Sequence, residues 1–189
     1  MIVCGIDEAG RGPLAGPVTA SAVVLPKDFP VEKLNDSKKL SEKKRLQLET
    51  EIKEKALAWA IASVEHTVID EINILQASLL AMKNAFIEVK RQLVEKGINL
   101  DDLYVIVDGN TYPDIDCAGQ WAIKGDALYP AVMAASILAK TDRDRQMVAF
   151  DKLYPEYGYA KHKGYPTKKH KEICRAIGPS PIQRKSFKY

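Results

Sequence analysis

Four carboxylates carry the chemistry this sequence can do. Asp7 and Glu8 stand side by side in CGIDEAGRGPLAG (residues 4–16), directly after an apolar run, and are followed at once by Gly-Arg-Gly. Asp108 follows LYVIV and precedes Gly109 and Asn110, and Asp126 sits in IKGDALYP. Taken singly, Asp108 reads equally well as a turn residue and Asp126 as a loop or near-cap acid. Asp7 and Glu8 differ, because a fold alone gives no reason to end a strand on two adjacent negative charges. Carboxylates gathered at one point repel: two unit charges 4 Å apart cost about 4 kcal/mol at an effective dielectric of 20. Protonation or a divalent cation relieves that cost. An oxygen-only donor set selects a hard ion, Mg²⁺ or Mn²⁺, over Zn²⁺. Mg²⁺ keeps waters and completes its shell with substrate phosphate oxygens, as in two-metal phosphodiester cleavage.

Three further segments suit a polyanion. Gly10, Arg11 and Gly12 can press backbone donors and acceptors against a ligand, and a ribose 2′-hydroxyl is both donor and acceptor. A short glycine turn with a surface arginine is the plain alternative. NDSKKLSEKKR gathers Ser37, Lys38, Lys39, Lys43, Lys44 and Arg45 around the start of a helix, where a phosphate would offset the crowding of positive charge, or where the lysines form a solvated face. HKGYPTKKH sets Tyr165 among lysines and histidines, which suits stacking on a sugar or base as well as packing. His162 and His170, eight apart, suggest no metal pair. Residues 161–189 hold nine Lys or Arg against one acid, Glu172, so the net charge of +3 hides an acidic body and a basic tail.

The elements that must position these groups are legible from periodicity. MIVCGID reads as a first strand, residues 18–25 as a second and 59–66 as a third. Ser41 is a plausible N-cap for a helix that carries Leu48, Ile52 and Ala56 on one face. Leu75, Leu79, Met82, Phe86, Val89 and Leu93 step by three and four along a helix expected over 74–96 and stopped by Gly97. Residues 103–107 are apolar throughout, as in a central strand, and 120–124 form a weaker last strand. A final helix is expected over 129–153, with Pro130 in its first turn. This order implies an α/β fold whose first strands form a meander and whose later strands enter by helical crossovers. Asp7 and Asp108 would then face one crevice beyond the carboxyl ends of parallel strands, with Asp126 at the same end. Neighbouring strand residues point to opposite faces, so Asp7 and Glu8 share one ion only if the chain bends, which Gly10 and Gly12 allow.

At 189 residues the chain is long enough for one full core. Its longest apolar runs, ALAWAIASV and AVMAASILA, have nine residues each, too few to span a membrane. No secretory signal is visible, and the three cysteines, Cys4, Cys117 and Cys174, read as reduced thiols.

GIDEAGRGPLAGPV, LNDSKKLS, IDEINIL, VDGN, KGD followed by AASILAKTDRDR, YGYAKHKGYPTKKH and RKSF occur in the order and spacing of ribonuclease HII, the type 2 ribonuclease H. The chain resembles that family over essentially its whole length. The resemblance implies a ribonuclease H-like α/β fold, a mixed five-stranded sheet flanked by helices, with a basic C-terminal helical and loop region. It implies a single catalytic domain over 1–189 whose substrate-binding region covers about 155–189. The implied activity is hydrolysis of RNA in RNA–DNA hybrids and nicking 5′ of ribonucleotides embedded in duplex DNA, leaving 3′-hydroxyl and 5′-phosphate ends, with one or two Mg²⁺ or Mn²⁺ ions. Carried over residue by residue, Asp7, Glu8, Asp108 and Asp126 form the metal site. Gly10, Arg11 and Gly12 read the 2′-hydroxyl, Tyr165 packs on the adjacent deoxyribose, and Ser37, Lys38 and Lys39 contact phosphates. The arginine between the glycines favours this type over the related one with threonine there. Nucleic acid is the implied partner, with no membrane, for a cytoplasmic monomer.

Overall fold

Residues 1–34 and 40–188 are described in a computed structural model. The elements run β1 (Ile2–Ala9), β2 (Val18–Val24), α1 (Glu42–Lys55), β3 (Ala58–Val64), α2 (His66–Glu95), β4 (Leu103–Asp108), β5 (Gly119–Ala122), α3 (Gly125–Leu128), α4 (Pro130–Leu153), α5 (Tyr159–His162) and α6 (Lys168–Ile177). The sheet order is β3-β2-β1-β4-β5. β1 and β2, and β2 and β3, pair antiparallel as the expected meander. β1 and β4, and β4 and β5, pair parallel, so β4 enters beside β1 after the crossover through α2.

Alternation along β1 assigns its two faces. Cys4 and Ile6 point to the face where Ala81, Ala85, Phe86, Val89 and Leu93 of α2 pack, together with Val105 and Val107 of β4. Gly5 points the other way, to α4, and the helix lies so close that a Cβ on Gly5 would sit 2.1 Å from the Ala131 carbonyl carbon. Leu48 and Ile52 of α1 pack against Ala134, Ile137 and Leu138 of α4, outside that second face. A third apolar cluster, with Ala15, Met147, Tyr159, Cys174 and Ile182, ties the basic C-terminal segment to α4 and to the loop after β1. The three cysteines are free thiols. Among the described residues no helix is long and apolar enough to cross a membrane.

Several boundaries differ from those expected. The helix expected over 74–96 begins at His66 and is broken at Asn73 (φ 68, ψ 166). Asn73 tolerates positive φ better than most residues, and its Oδ1 accepts the Gln76 N–H at 3.1 Å, capping the second segment. Ile69 is buried and Val68 and Ile72 pack on the same core, so the apolar face already begins before the break and the expected start at 74 is two turns too late. β3, expected to reach residue 66, ends at Val64 because His66 opens the helix. β5 covers Gly119–Ala122 and not 120–124: the chain turns at Lys124, which is left-handed (φ 61, ψ 37) and precedes α3. Pro130 occupies the first turn of α4, as expected.

Candidate active site

The acids are placed by strand register. Ile6 pairs with Val107 on parallel strands, so the next residues, Asp7 and Asp108, stand side by side on the face that α4 covers. Ser136 of α4 donates its hydroxyl to Asp7, and the Glu8 N–H donates to Asp7 Oδ1 at 2.7 Å. Asp108 Oδ1 accepts the Asp126 N–H at 3.3 Å, which brings the first turn of α3, and Asp126 with it, to the same end of the sheet. Glu8 lies on the opposite pleat. The strand ends there: Gly10 has φ +97, and Glu8 and Asp108 open both on the main cleft and on a hollow beside Ser78 and Asn110 of the α2 side.

The main cleft, about 330 Å³, is lined by Asp7, Glu8, Asp108 and Asp126, by Gly10, Arg11 and Gly12, by Tyr165, and by Ser136 and Lys140 of α4. The four acids, the Gly10-Arg11-Gly12 segment and Tyr165 therefore line one cavity, whereas Lys43, Lys44 and Arg45, at the start of α1, are not among its lining residues. Ser37, Lys38 and Lys39 lie outside the described residues. Ser41 caps α1 as expected, accepting the Lys44 N–H at 3.3 Å.

Burial pushes the Asp7 carboxyl well above the ordinary range, and the neighbouring Glu8 and Asp108 charges raise it further. Burial also raises Glu8; Arg11, whose Nη1 is 3.4 Å from Glu8 Oε1, pulls the other way, and Asp108 adds to the rise. Glu8 Oε2 is buried with no hydrogen-bond partner. A crowded carboxylate group with an orphaned oxygen suits a divalent cation. Among the described residues no three of these side chains are drawn into a ready ligand cage. Mutual repulsion holds bare carboxylates apart, and a hard ion such as Mg²⁺ needs only one or two of them beside waters and phosphate oxygens.

The wall beside the acids is made by two arginines that sequence reasoning did not single out. Arg184 and Arg143 are fully buried. Arg184 donates to the carbonyls of Gly10 (2.6 Å), Arg11 (3.0 Å), Pro13 (2.8 Å), Gly16 (2.9 Å) and Pro17 (3.0 Å), which uses all five guanidinium donors. Arg143 donates to Pro17 (2.9 Å), Ala15 (3.2 Å) and Lys163 (3.0 Å). Burial pushes Arg143 down to about 10 and Arg184 down to about 9, both still cationic at neutral pH. Gly10 must lack a side chain, because a Cβ there would meet Arg143 Nε at 2.0 Å. Tyr165 lies across this wall, 3.7 Å from where a Gly12 Cβ would be and with Arg143 5.8 Å from its ring centre. Asp70 holds the tail that carries Arg184: it accepts the N–H groups of Lys185 and Ser186, both at 2.9 Å. The only sequence signal for these arginines was that AASILAKTDRDR and RKSF belong to the motif set.

A family model described as Ribonuclease HII matches residues 4–189. The chain is 51% identical over 186 residues to a ribonuclease HII of Idiomarina loihiensis, covering 98% of this chain and 95% of that one. Its fold superposes on the crystal structure of ribonuclease H2 from Pyrococcus horikoshii OT3 with TM-score 0.74 and 25% identity, over 99% of this chain and 94% of that one. The crystal structure of Bst-RNase HIII in complex with Mn²⁺ shares the fold at TM-score 0.72 and 16% identity, over 94% of this chain and 63% of that one.

Proposed function

Because the chain belongs to the ribonuclease HII family and is thus a ribonuclease H acting on RNA paired with DNA, we propose that it also nicks duplex DNA 5′ of a single embedded ribonucleotide. The products would be 3′-hydroxyl and 5′-phosphate ends. One observation carries this reading: four acids share a cleft with a glycine wall and an exposed tyrosine, so phosphodiester chemistry and sugar recognition meet at one point.

Asp7, Glu8, Asp108 and Asp126 would hold one or two Mg²⁺ or Mn²⁺ ions, which supply a polarised phosphodiester and an acidified water when bound. The residues of the chain prepare that site. Ser136 and the Glu8 N–H orient the Asp7 carboxylate, the Asp126 N–H orients Asp108, and Arg11 offsets the charge of Glu8. Arg184 and Arg143 hold the carbonyls of residues 10–17 rigid, so that the remaining polar groups of Gly10, Arg11 and Gly12 test for a 2′-hydroxyl. A fixed polar wall rejects a sugar lacking that hydroxyl, because its own groups would be left unpaired. Tyr165, 41% exposed, presents its ring to the neighbouring sugar. In this reading residues 1–189 form one catalytic domain, and the lysines of 155–189, with Ser37, Lys38 and Lys39, meet substrate phosphates.

The test is a duplex with one ribonucleotide, incubated with the protein and Mg²⁺. A single nick on the 5′ side, with a 3′ end that a polymerase extends, is expected. No nick, or equal cutting of an all-deoxy duplex, overturns the reading. Asp7→Asn and Asp108→Asn should lose cleavage and keep hybrid binding; full activity in either removes the metal role.

A further inference from the structure

Two histidines, His170 buried and His162 half-buried, stand beneath the loop that carries Tyr165. His162 ends α5 and His170 lies in the first turn of α6. Their rings stack with centroids 4.3 Å apart and planes at 16°, and Tyr159 meets both edge-on at 5.6 Å. Each ring addresses a backbone carbonyl: His162 Nε2 that of Tyr157 at 2.8 Å, His170 Nδ1 that of Tyr165 at 3.0 Å. A carbonyl only accepts, so these nitrogens carry the hydrogens. His162 Nδ1 then accepts the Gly164 N–H at 3.2 Å, and His170 Nε2 is buried without a hydrogen-bond partner. Burial lowers the proton affinity of both rings, which keeps the stack neutral.

All of this fixes one peptide. The Tyr165 N–H donates to His162 O at 2.9 Å, and its carbonyl accepts from Thr167 N–H at 2.8 Å as well as from His170. The Tyr165 ring alone is left projecting into the cleft. Packing would be satisfied by any flat apolar ring at position 170. It does not call for a neutral N–H aimed at the carbonyl of the tyrosine that lines the cleft. We propose that His170, seated on His162, is a positioning residue that sets the Tyr165 peptide and so aims its ring at the substrate sugar; this rests on Tyr165 being a substrate contact.

Steady-state cleavage of the single-ribonucleotide duplex with Mg²⁺ tests it. His170→Phe keeps a stacking ring and removes the donor, and should raise KM about fivefold, the worth of one neutral hydrogen bond, with kcat nearly unchanged. His170→Asn puts an amide N–H where Nδ1 stood and should return KM to within about twofold of wild type, since the bond itself is restored. In a Tyr165→Ala background, His170→Phe should have no further effect, because the two act as a unit. A wild-type KM in His170→Phe, additive effects in the double variant, or a fall in kcat at constant KM overturns the inference. If Tyr165→Ala itself leaves KM unchanged, the substrate role of Tyr165 fails and the inference falls with it; if Tyr165→Ala raises KM and His170→Phe does not, the inference alone fails. A measurement free of any variant is the ¹⁵N spectrum of the wild-type histidines. His170 should be the neutral Nδ1–H tautomer at neutral pH; an Nε2–H tautomer or an imidazolium overturns the assignment.

Discussion

Replacing Asp7 with asparagine should make the metal-free protein more stable while it removes cleavage. Asp7 lies one residue past the Ile6–Val107 pair, so its carboxylate and that of Asp108 stand on strands about 4.8 Å apart. At about 5 Å and an effective dielectric of 20, two full charges repel by about 3 kcal/mol. The amide introduced by the substitution would still accept from Ser136 or the Glu8 N–H, at a loss of roughly 1 kcal/mol of charge-assisted bonding. The net gain is about 2 kcal/mol, or roughly 4–8 °C in Tm for a chain of this size. The assay is thermal unfolding of both proteins in chelator near pH 7.5, repeated with excess Mg²⁺. Binding to the folded state stabilises by mass action, so Mg²⁺ should raise the wild type more than the variant and close the gap. If Asp7→Asn melts at or below the wild type in chelator, the acids are not held together against repulsion, and the electrostatic account of the cleft fails.

Other predictions concern the wall and the tail. Gly12→Ala should fold normally, within about 0.5 kcal/mol of wild type as for an unstrained surface change, since the added Cβ meets only Tyr165 at 3.7 Å; cleavage should nevertheless drop, and a variant that keeps full activity would show that substrate does not approach this glycine. Pro17 O keeps Arg143, so Arg184→Lys, with three donors for the other four carbonyls, leaves at least one of them without its guanidinium partner and should cost about 2 kcal/mol in urea unfolding, with the preference for ribonucleotide over all-deoxy substrate reduced; an unchanged midpoint would refute the clamp. Burial opposes the shift at Asp70, but the Ser186 hydroxyl and the two backbone N–H groups outweigh it and hold the carboxyl below its ordinary value. Its stabilising effect is therefore complete above the unfolded value of about 4 and is lost as pH falls through the lowered one. The stability difference between wild type and Asp70→Asn should follow that course, and one that persists at still lower pH would contradict it.

The strands that end on acids were the legible part of this chain. IVCGIDEA and LYVIVD are apolar runs that stop at carboxylates, and parallel pairing of such runs puts Asp7 beside Asp108. Asp126 was placed from its position after a strand and before a helix. What stayed hidden has physical causes. The first turns of α2 do carry Val68, Ile69 and Ile72 toward the core, but in two turns interrupted by the left-handed Asn73 they are too few to fix a helical period. β5 is short, with Trp121 about half exposed, and its alternation is too weak to fix its ends. Arg143 and Arg184 bond to backbone carbonyls, which every residue type offers, so no partner in the sequence announces their burial. The eight-residue spacing of His162 and His170 suggests no metal pair and says nothing of a contact between them. They meet as a stack because residues 163–167 double back, a geometry that spacing along the chain does not encode.

The most direct test of the shared cleft is a crystal grown with Mn²⁺ and examined for anomalous scattering. A peak bounded by Asp7, Glu8, Asp108 and Asp126, absent from crystals of Asp108→Asn, is the expected result. Ordered carboxylates with no peak among them, or a peak bound elsewhere on the molecule, would contradict the claim that these acids hold the ion beside the glycine wall.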